Sequence, residues 1–232
     1  MKKFIIAFLT VLPMLTLAAG PSIKLDAANN DLRDKASLKR GFEAFINNCL
    51  ACHQLQYQRY NRTFADLGIS DEDGLANYMY TGEKVGDHIT NTMPAKDAAK
   101  WFGGAPPDLT LEARFRSPDW IYTYLRSFYV DENRPFGVNN KVFKDVGMPH
   151  VLQNLQGVKT IDEQGNLSEA TGGSMTTEEY DGFVRDLTNF LEYTGEPNKL
   201  ERESLGYWVI GFLFILLFFA YLLKKEYWRD VH

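Results

Sequence analysis

The chain has 232 residues, 45% hydrophobic, 14% aromatic and 24% charged. This composition excludes a disordered tail, a collagen-like fibre and a polytopic membrane protein, and leaves room for one domain with a segment at either end. The net charge of −5 is unevenly spread: setting aside Lys2, Lys3, Lys224, Lys225, Glu226, Arg229 and Asp230 in the end segments, 20 basic groups face 28 acidic ones. A domain of that sign repels nucleic acid and anionic lipid and attracts basic proteins, so nucleic acid is not an expected partner.

In chain order, Met1-Lys2-Lys3 leads into an apolar run, Phe4 to Leu17, followed by Ala18-Ala19-Gly20. A basic head, an apolar stretch and small residues behind it form the layout of an export leader over residues 1–19. Pro13 and the lack of a polar face argue against a core helix here. The exported domain is expected over residues 20–204.

From Ser37 to Asn48, Leu38, Phe42, Phe45 and Ile46 recur on one helical face. The predicted helix runs into Cys49-Leu50-Ala51-Cys52-His53. Cysteines three positions apart cannot staple distant parts of a fold, but this spacing is that of covalent c-type haem attachment. On one turn of helix the two sulfurs lie on the same side, where they reach both vinyl groups of one porphyrin. The imidazole that follows falls beneath the iron as proximal ligand. A structural zinc site would call for a second cysteine pair, and a thioredoxin-like dithiol has no use for the adjacent histidine.

Residues 54–105, 130–149 and 157–174 read as loops, and strand signals are weak throughout. Ser117-Pro118-Asp119, with serine as N-cap and proline at the first helical position, opens a helix over 117–129 carrying Trp120, Ile121, Tyr124, Leu125 and Phe128. Thr176-Thr177-Glu178-Glu179 is a capping box that opens a helix over 176–193. The expected fold is mostly α, a cytochrome c-like haem domain with long loops and insertions, too loop-rich for its apolar core alone.

For the sixth iron ligand, Met93 and Met148 both precede proline, and His88 and His150 also lie in the domain, whereas His232 follows the terminal apolar segment. Order along the chain favours Met148. In cytochrome c folds a proline segment that orients the proximal histidine comes first, then a pocket helix, the methionine loop and a closing helix. Pro106-Pro107-Asp108-Leu109, residues 117–129, Gly147-Met148-Pro149 and residues 176–193 follow that order; Met93 precedes the proline segment and breaks it.

Leu205 to Leu223 contains 19 residues without a charge, about 28 Å of helix, close to the hydrocarbon thickness of a bilayer. Tyr207, Trp208, Tyr227 and Trp228 stand where interfacial aromatic belts belong. The expected topology is an anchor over 205–223, a cytoplasmic tail over 224–232, and the domain on the periplasmic side of the bacterial inner membrane.

Taken together, Lys39-Arg40-Gly41-Phe42 ahead of Cys49–His53, Pro106-Pro107-Asp108-Leu109-Thr110 with Arg114 and Arg116 behind it, Gly147-Met148-Pro149, and a single anchor after the closing helix resemble the cytochrome c1 family, the haem subunit of ubiquinol–cytochrome c reductase. The resemblance implies one covalent haem c attached through Cys49 and Cys52, ligated by His53 and Met148, and oriented through Pro107. It further implies that Arg116 pairs with a haem propionate, that Trp120, Tyr124 and Leu125 line the pocket, and that Phe143 lies against the porphyrin. Cytochrome b and a Rieske iron–sulfur protein are the implied complex partners and cytochrome c the implied acceptor, with no bond-making active site in this chain. Two places depart from the family pattern: the stretch Asn133 to Val146 is altered, and His150 follows Met148-Pro149 where a second proline is common. His150 reads either as a titrating neighbour of the haem or as a surface residue. The acidic run Asp71-Glu72-Asp73 reads as a solvated face or as a dock for a basic cytochrome. Two other functions fit the haem motif: an anchored shuttle to a terminal oxidase, and an open-site sensor or peroxidase.

Overall fold

The computed structural model describes residues 23–229, so the leader and His232 lie outside the described residues. Two long helices form the floor of the domain: α1 (Lys35–Asn48) and a closing helix that begins at Thr177 and ends at Gly195. They cross at Gly41, where a Cβ would stand 2.0 Å from the Asp186 carbonyl oxygen and 2.7 Å from the Phe190 Cβ. Only a hydrogen fits at such an approach. Phe42 packs against Phe190 and Tyr78, each at 5.3 Å between ring centroids, and against Phe64 at 6.2 Å. These are spacings at which aromatic pairs add attraction beyond their buried area.

The segment 54–105 is more ordered than its polar composition implies. It contains β1 (Leu55–Arg59), α2 (Tyr60–Leu67), α3 (Asp71–Asn77), β2 (His88–Ile89) and α4 (Ala95–Phe102), with β1 and β2 antiparallel. Tyr60, Phe64, Leu67 and Ile69 are buried, so the insertion widens the core rather than hanging from it. Helix α5 (Glu112–Arg116) and α6 (Pro118–Arg126) follow, the latter capped by the Ser117 hydroxyl, which accepts from the Trp120 N–H at 3.2 Å.

The remaining expected loops hold short antiparallel ladders: β3 (Phe128–Val130) with β4 (Val138–Asn140), and, after the single turn α7 (Gln153–Gln156), β5 (Gly157–Val158) with β6 (Thr171–Gly172). The closing helix, α8 (Thr177–Gly195), starts at the expected capping box: the Thr176 hydroxyl accepts from the Glu179 N–H, and the Glu179 carboxylate accepts from the Thr176 N–H. Residues 26–31, outside any helix or strand, are laced across α6 and α8. Asp26 N–H donates to Thr123 Oγ1 and Ala28 N–H to Asp119 Oδ1, both at 2.8 Å, while Asn189 Nδ2 donates to the Asp31 carbonyl at 2.8 Å.

Last comes α9 (Lys199–Tyr227), 29 residues long, with no buried residue and with the apolar side chains from Leu205 onward exposed. Among the described residues it is the one helix long and apolar enough to cross a membrane. It begins six residues before the apolar run because Lys199-Leu200-Glu201-Arg202-Glu203-Ser204 are compatible with helix whatever solvent surrounds them.

Candidate haem site

Cys49 is the C-cap of α1, its N–H donating to the Phe45 carbonyl at 2.8 Å. The chain then makes one further turn: Cys52 N–H and His53 N–H both donate to the Cys49 carbonyl, at 3.0 and 2.8 Å. Both cysteines are free thiols. Cys49 is buried in the core cluster and Cys52 half-buried; burial pushes the Cys49 thiol up to about 12. Among the described residues no group of three or more His, Cys, Asp or Glu side chains is placed to hold a metal ion.

His53 is aimed by the proline segment. Its Nδ1 stands 2.8 Å from the Pro107 carbonyl oxygen, and since a carbonyl only accepts, Nδ1 carries the proton and the Nε2 lone pair is left for a metal. Burial lowers the His53 pKa, against the opposing pull of the Pro107 carbonyl, so the ring is held neutral as coordination requires. The carbonyl is itself fixed. Leu109 N–H donates to the Gln54 carbonyl at 2.9 Å, and the Asp108 carboxylate accepts from Gln56 N–H at 2.8 Å and from Thr110 N–H at 2.9 Å. Asn91 Nδ2 donates to the Cys52 carbonyl at 2.6 Å from the other side.

Met148 is packed against both the main apolar cluster and the small one formed by Phe128, Val138 and Val146. The Tyr124 hydroxyl donates to its Sδ at 3.4 Å. Met93 packs against neither cluster. Leu109, Trp120, Tyr124 and Met148 are half-buried apolar groups on the edge of the core, with Trp120 stacked on Tyr124 at 4.9 Å. Leu125, expected at the pocket, is 8% exposed and belongs to the core itself. Arg116 Nε donates to the Glu112 carboxylate at 3.0 Å, and its guanidinium lies 4.4 Å over the Trp120 ring and 5.6 Å over Phe143. Arg114 is the more exposed of the two arginines, 3.8 Å from Glu196.

His150 is not the surface residue that one sequence alternative made it. Its ring stacks flat on Phe128 at 4.6 Å, and its Nε2 is buried. Burial lowers its pKa to about 4, because the adjacent aromatic offers no solvation for a charge. The amides Asn139 and Asn140 and the carboxylate Asp108 are the site residues whose roles were not visible in the sequence. Nothing in a lone Asn-Asn pair or an Asp after prolines distinguishes a brace from a turn.

Two thiols on one turn, a histidine held by a carbonyl, a methionine packed on the apolar core and a pair of long helices are the features of a covalent c-type haem protein. The residues fit the group: paired free thiols on one turn, an imidazole lone pair on Nε2, and the half-buried apolar side chains of Leu109, Trp120, Tyr124 and Met148 at the edge of the core. The cytochrome C1 family model matches residues 28–231. The chain is 52% identical over 244 residues to cytochrome c1 of Allochromatium vinosum, covering all of both chains. It is 46% identical over 233 residues to a Nitrosomonas europaea protein named ammonia monooxygenase gamma subunit, covering 100% of this chain and 99% of that one. It is 28% identical over 250 residues to a Bradyrhizobium diazoefficiens protein named cytochrome b/c1, covering 86% of this chain and 34% of that one. The chain belongs to the cytochrome c1 family. It carries one covalent haem c and acts in electron transfer as a membrane-anchored subunit of a bc1 complex.

Proposed function

We propose that this subunit relays single electrons from a Rieske iron–sulfur protein to a cytochrome c, with its domain on the periplasmic side of the inner membrane and cytochrome b beside α9. The observation that carries it is the His53 Nδ1 to Pro107 carbonyl contact of 2.8 Å on the Cys49–Cys52 turn, with the Met148 thioether held separately by the Tyr124 hydroxyl. The name of the Bradyrhizobium relative, cytochrome b/c1, supports the cytochrome b neighbour. The family match over residues 28–231, rather than the name of the Nitrosomonas relative, decides the class.

Cys49 and Cys52 would hold the haem by thioethers, and His53 and Met148 would ligate its iron. The bound haem supplies a one-electron iron couple, and methionine as sixth ligand sets a higher potential than a second histidine. The protein's share is rigidity. Pro107 and Asp108 fix the imidazole plane, Tyr124 fixes the thioether, and Leu109, Trp120 and Tyr124 exclude water from the face between them. Arg116, already 3.0 Å from Glu112, has its positive charge at the edge of that wall, where a propionate would be neutralised.

Gentle detergent purification of the whole complex tests the assignment. Co-purifying b-type haem and a Rieske centre, with quinol-dependent reduction of the c-type haem, is the expected result; a c-type haem protein isolated without either would point to the anchored shuttle. Met148→Leu is expected to lower the midpoint potential and let the reduced protein bind carbon monoxide. An unchanged Met148→Leu protein would remove Met148 from the ligand set.

A further inference from the structure

We propose that Asn139, Asn140 and Arg134 are positioning residues for Met148, forming a side-chain brace that sets how firmly the thioether ligates. This rests on Met148 being the sixth ligand. The residues from Lys141 to Gly147 form no helix or strand and deliver Met148 from the end of β4. Main-chain bonding contributes little to them: Lys141 N–H donates to the Ser127 carbonyl at 3.1 Å. The next contacts are made by two amides, 3% and 0% exposed for Asn139 and Asn140. Asn140 Oδ1 accepts from Val142 N–H at 2.9 Å and Phe143 N–H at 3.1 Å. Asn139 Oδ1 accepts from Asp145 N–H at 2.9 Å, and its Nδ2 donates to Asp131 Oδ2 at 2.9 Å. Arg134 Nη2 donates to the Asp145 carbonyl at 2.7 Å and the Val146 carbonyl at 3.2 Å.

Two features make this more than loop packing. Asp145 has φ of 60°, a left-handed conformation that most residues with a Cβ avoid and that aspartate adopts at a smaller cost. The Asn139 and Arg134 bonds grip both its N–H and its carbonyl, so they hold the bend that aims Gly147 and Met148 inward. The brace also closes on itself: Asn140 Nδ2 donates to the Tyr124 carbonyl at 2.8 Å, while the hydroxyl of the same Tyr124 donates to Met148 Sδ at 3.4 Å. One residue of α6 therefore fixes both the root of the loop and its sulfur. A thioether is a weak neutral ligand with no charge to draw it to iron, so its occupancy depends on how little freedom the loop retains.

The test uses the full chain, matured with haem, as wild type, Met148→Leu and Asn140→Ala, with haem content per chain as the check on folding. The reduced Asn140→Ala protein is expected to bind carbon monoxide about tenfold faster than wild type, with a weakened methionine-to-iron charge-transfer band and a lower potential. A tenfold loss in ligation of the reduced over the oxidised state corresponds to about 59 mV for one electron. A folded Asn140→Ala protein equal to wild type in all three, beside a Met148→Leu protein that changes, overturns the brace and leaves the ligand standing. An unchanged Met148→Leu protein overturns both. If Asn140→Ala does not fold, Arg134→Gln carries the same expectation at about threefold, and equality with wild type overturns it. Amide exchange needs no variant: Val142, Phe143 and Asp145 in the wild-type protein are expected to exchange about a hundredfold slower than unstructured peptide, and unprotected rates would overturn the brace.

Discussion

The two sides of the haem site are built by different means. On the His53 side, the end of α1 and one further turn set the frame through backbone bonds, and a proline segment is joined to residues 54–57 by the Leu109 N–H and the Asp108 carboxylate, with the Asn91 amide on the Cys52 carbonyl. On the Met148 side the parts are held by side chains, namely two buried amides, a guanidinium and a phenol. Backbone closure fixes position with few degrees of freedom. Side-chain closure leaves each bond separately removable, so the methionine side is the one that substitution can tune in small steps.

Asp108→Ala should have the largest effect, because two N–H groups lose a charged acceptor at once. A loss of about 3 kcal/mol in unfolding free energy of the holoprotein is expected, read by denaturant titration, with the His53 ring losing its fixed orientation in the haem spectrum. A loss below that of a single neutral bond would mean that backbone bonds hold the proline segment without the carboxylate.

Tyr124→Phe removes one bond and keeps the ring stacked on Trp120. We expect about 1 kcal/mol lower stability and a small fall in midpoint potential, since the hydroxyl no longer draws density from the sulfur. A change as large as that of Asp108→Ala would mean that Tyr124 does more than brace Met148.

Acid should produce the smallest effect and should reach the methionine side through Asp131. Bonds from Asn139 and Asn133 hold the Asp131 carboxyl below the usual aspartate range. Its folded pKa is therefore lower than its unfolded pKa. The stabilisation it gives is present above the unfolded value, near pH 4, and is lost as pH falls through the folded one. The carbon monoxide rate of the reduced protein should rise slightly over that window in wild type, and this acid dependence should be absent in Asp131→Asn.

The same contrast explains what the sequence disclosed. The C-x-x-C-H turn, the Ser117 cap and the Thr176 capping box are local patterns whose physics is complete within a few residues, and each stands where expected. The insertion at 54–105 did not announce its helices. Tyr60–Leu67 starts without a side-chain cap, and Asp71–Asn77 buries only Gly74, so periodicity over seven or eight residues carries too little signal. Asn139 and Asn140 were illegible as a brace for a different reason: Asn140 Oδ1 makes a local turn to Val142 and Phe143, but the bonds to Tyr124 of α6, Asp131 and Asp145 leave no trace in spacing. The mostly helical haem domain and the terminal helix were readable; the short ladders in the supposed loops were not, since strands of two or three residues fall below any alternation test.

Only Glu196-Pro197-Asn198 separate α8 from α9, a reach of about 10 Å even when fully drawn out. That short join is bridged by Lys199 to Glu192 at 2.6 Å, by Arg202 to Glu196, and by Arg62 to Asn198 at 2.7 Å. The domain is thus mounted on its post, not tethered to it by a cord. A domain joined this closely has little freedom to swing about the helix that carries it.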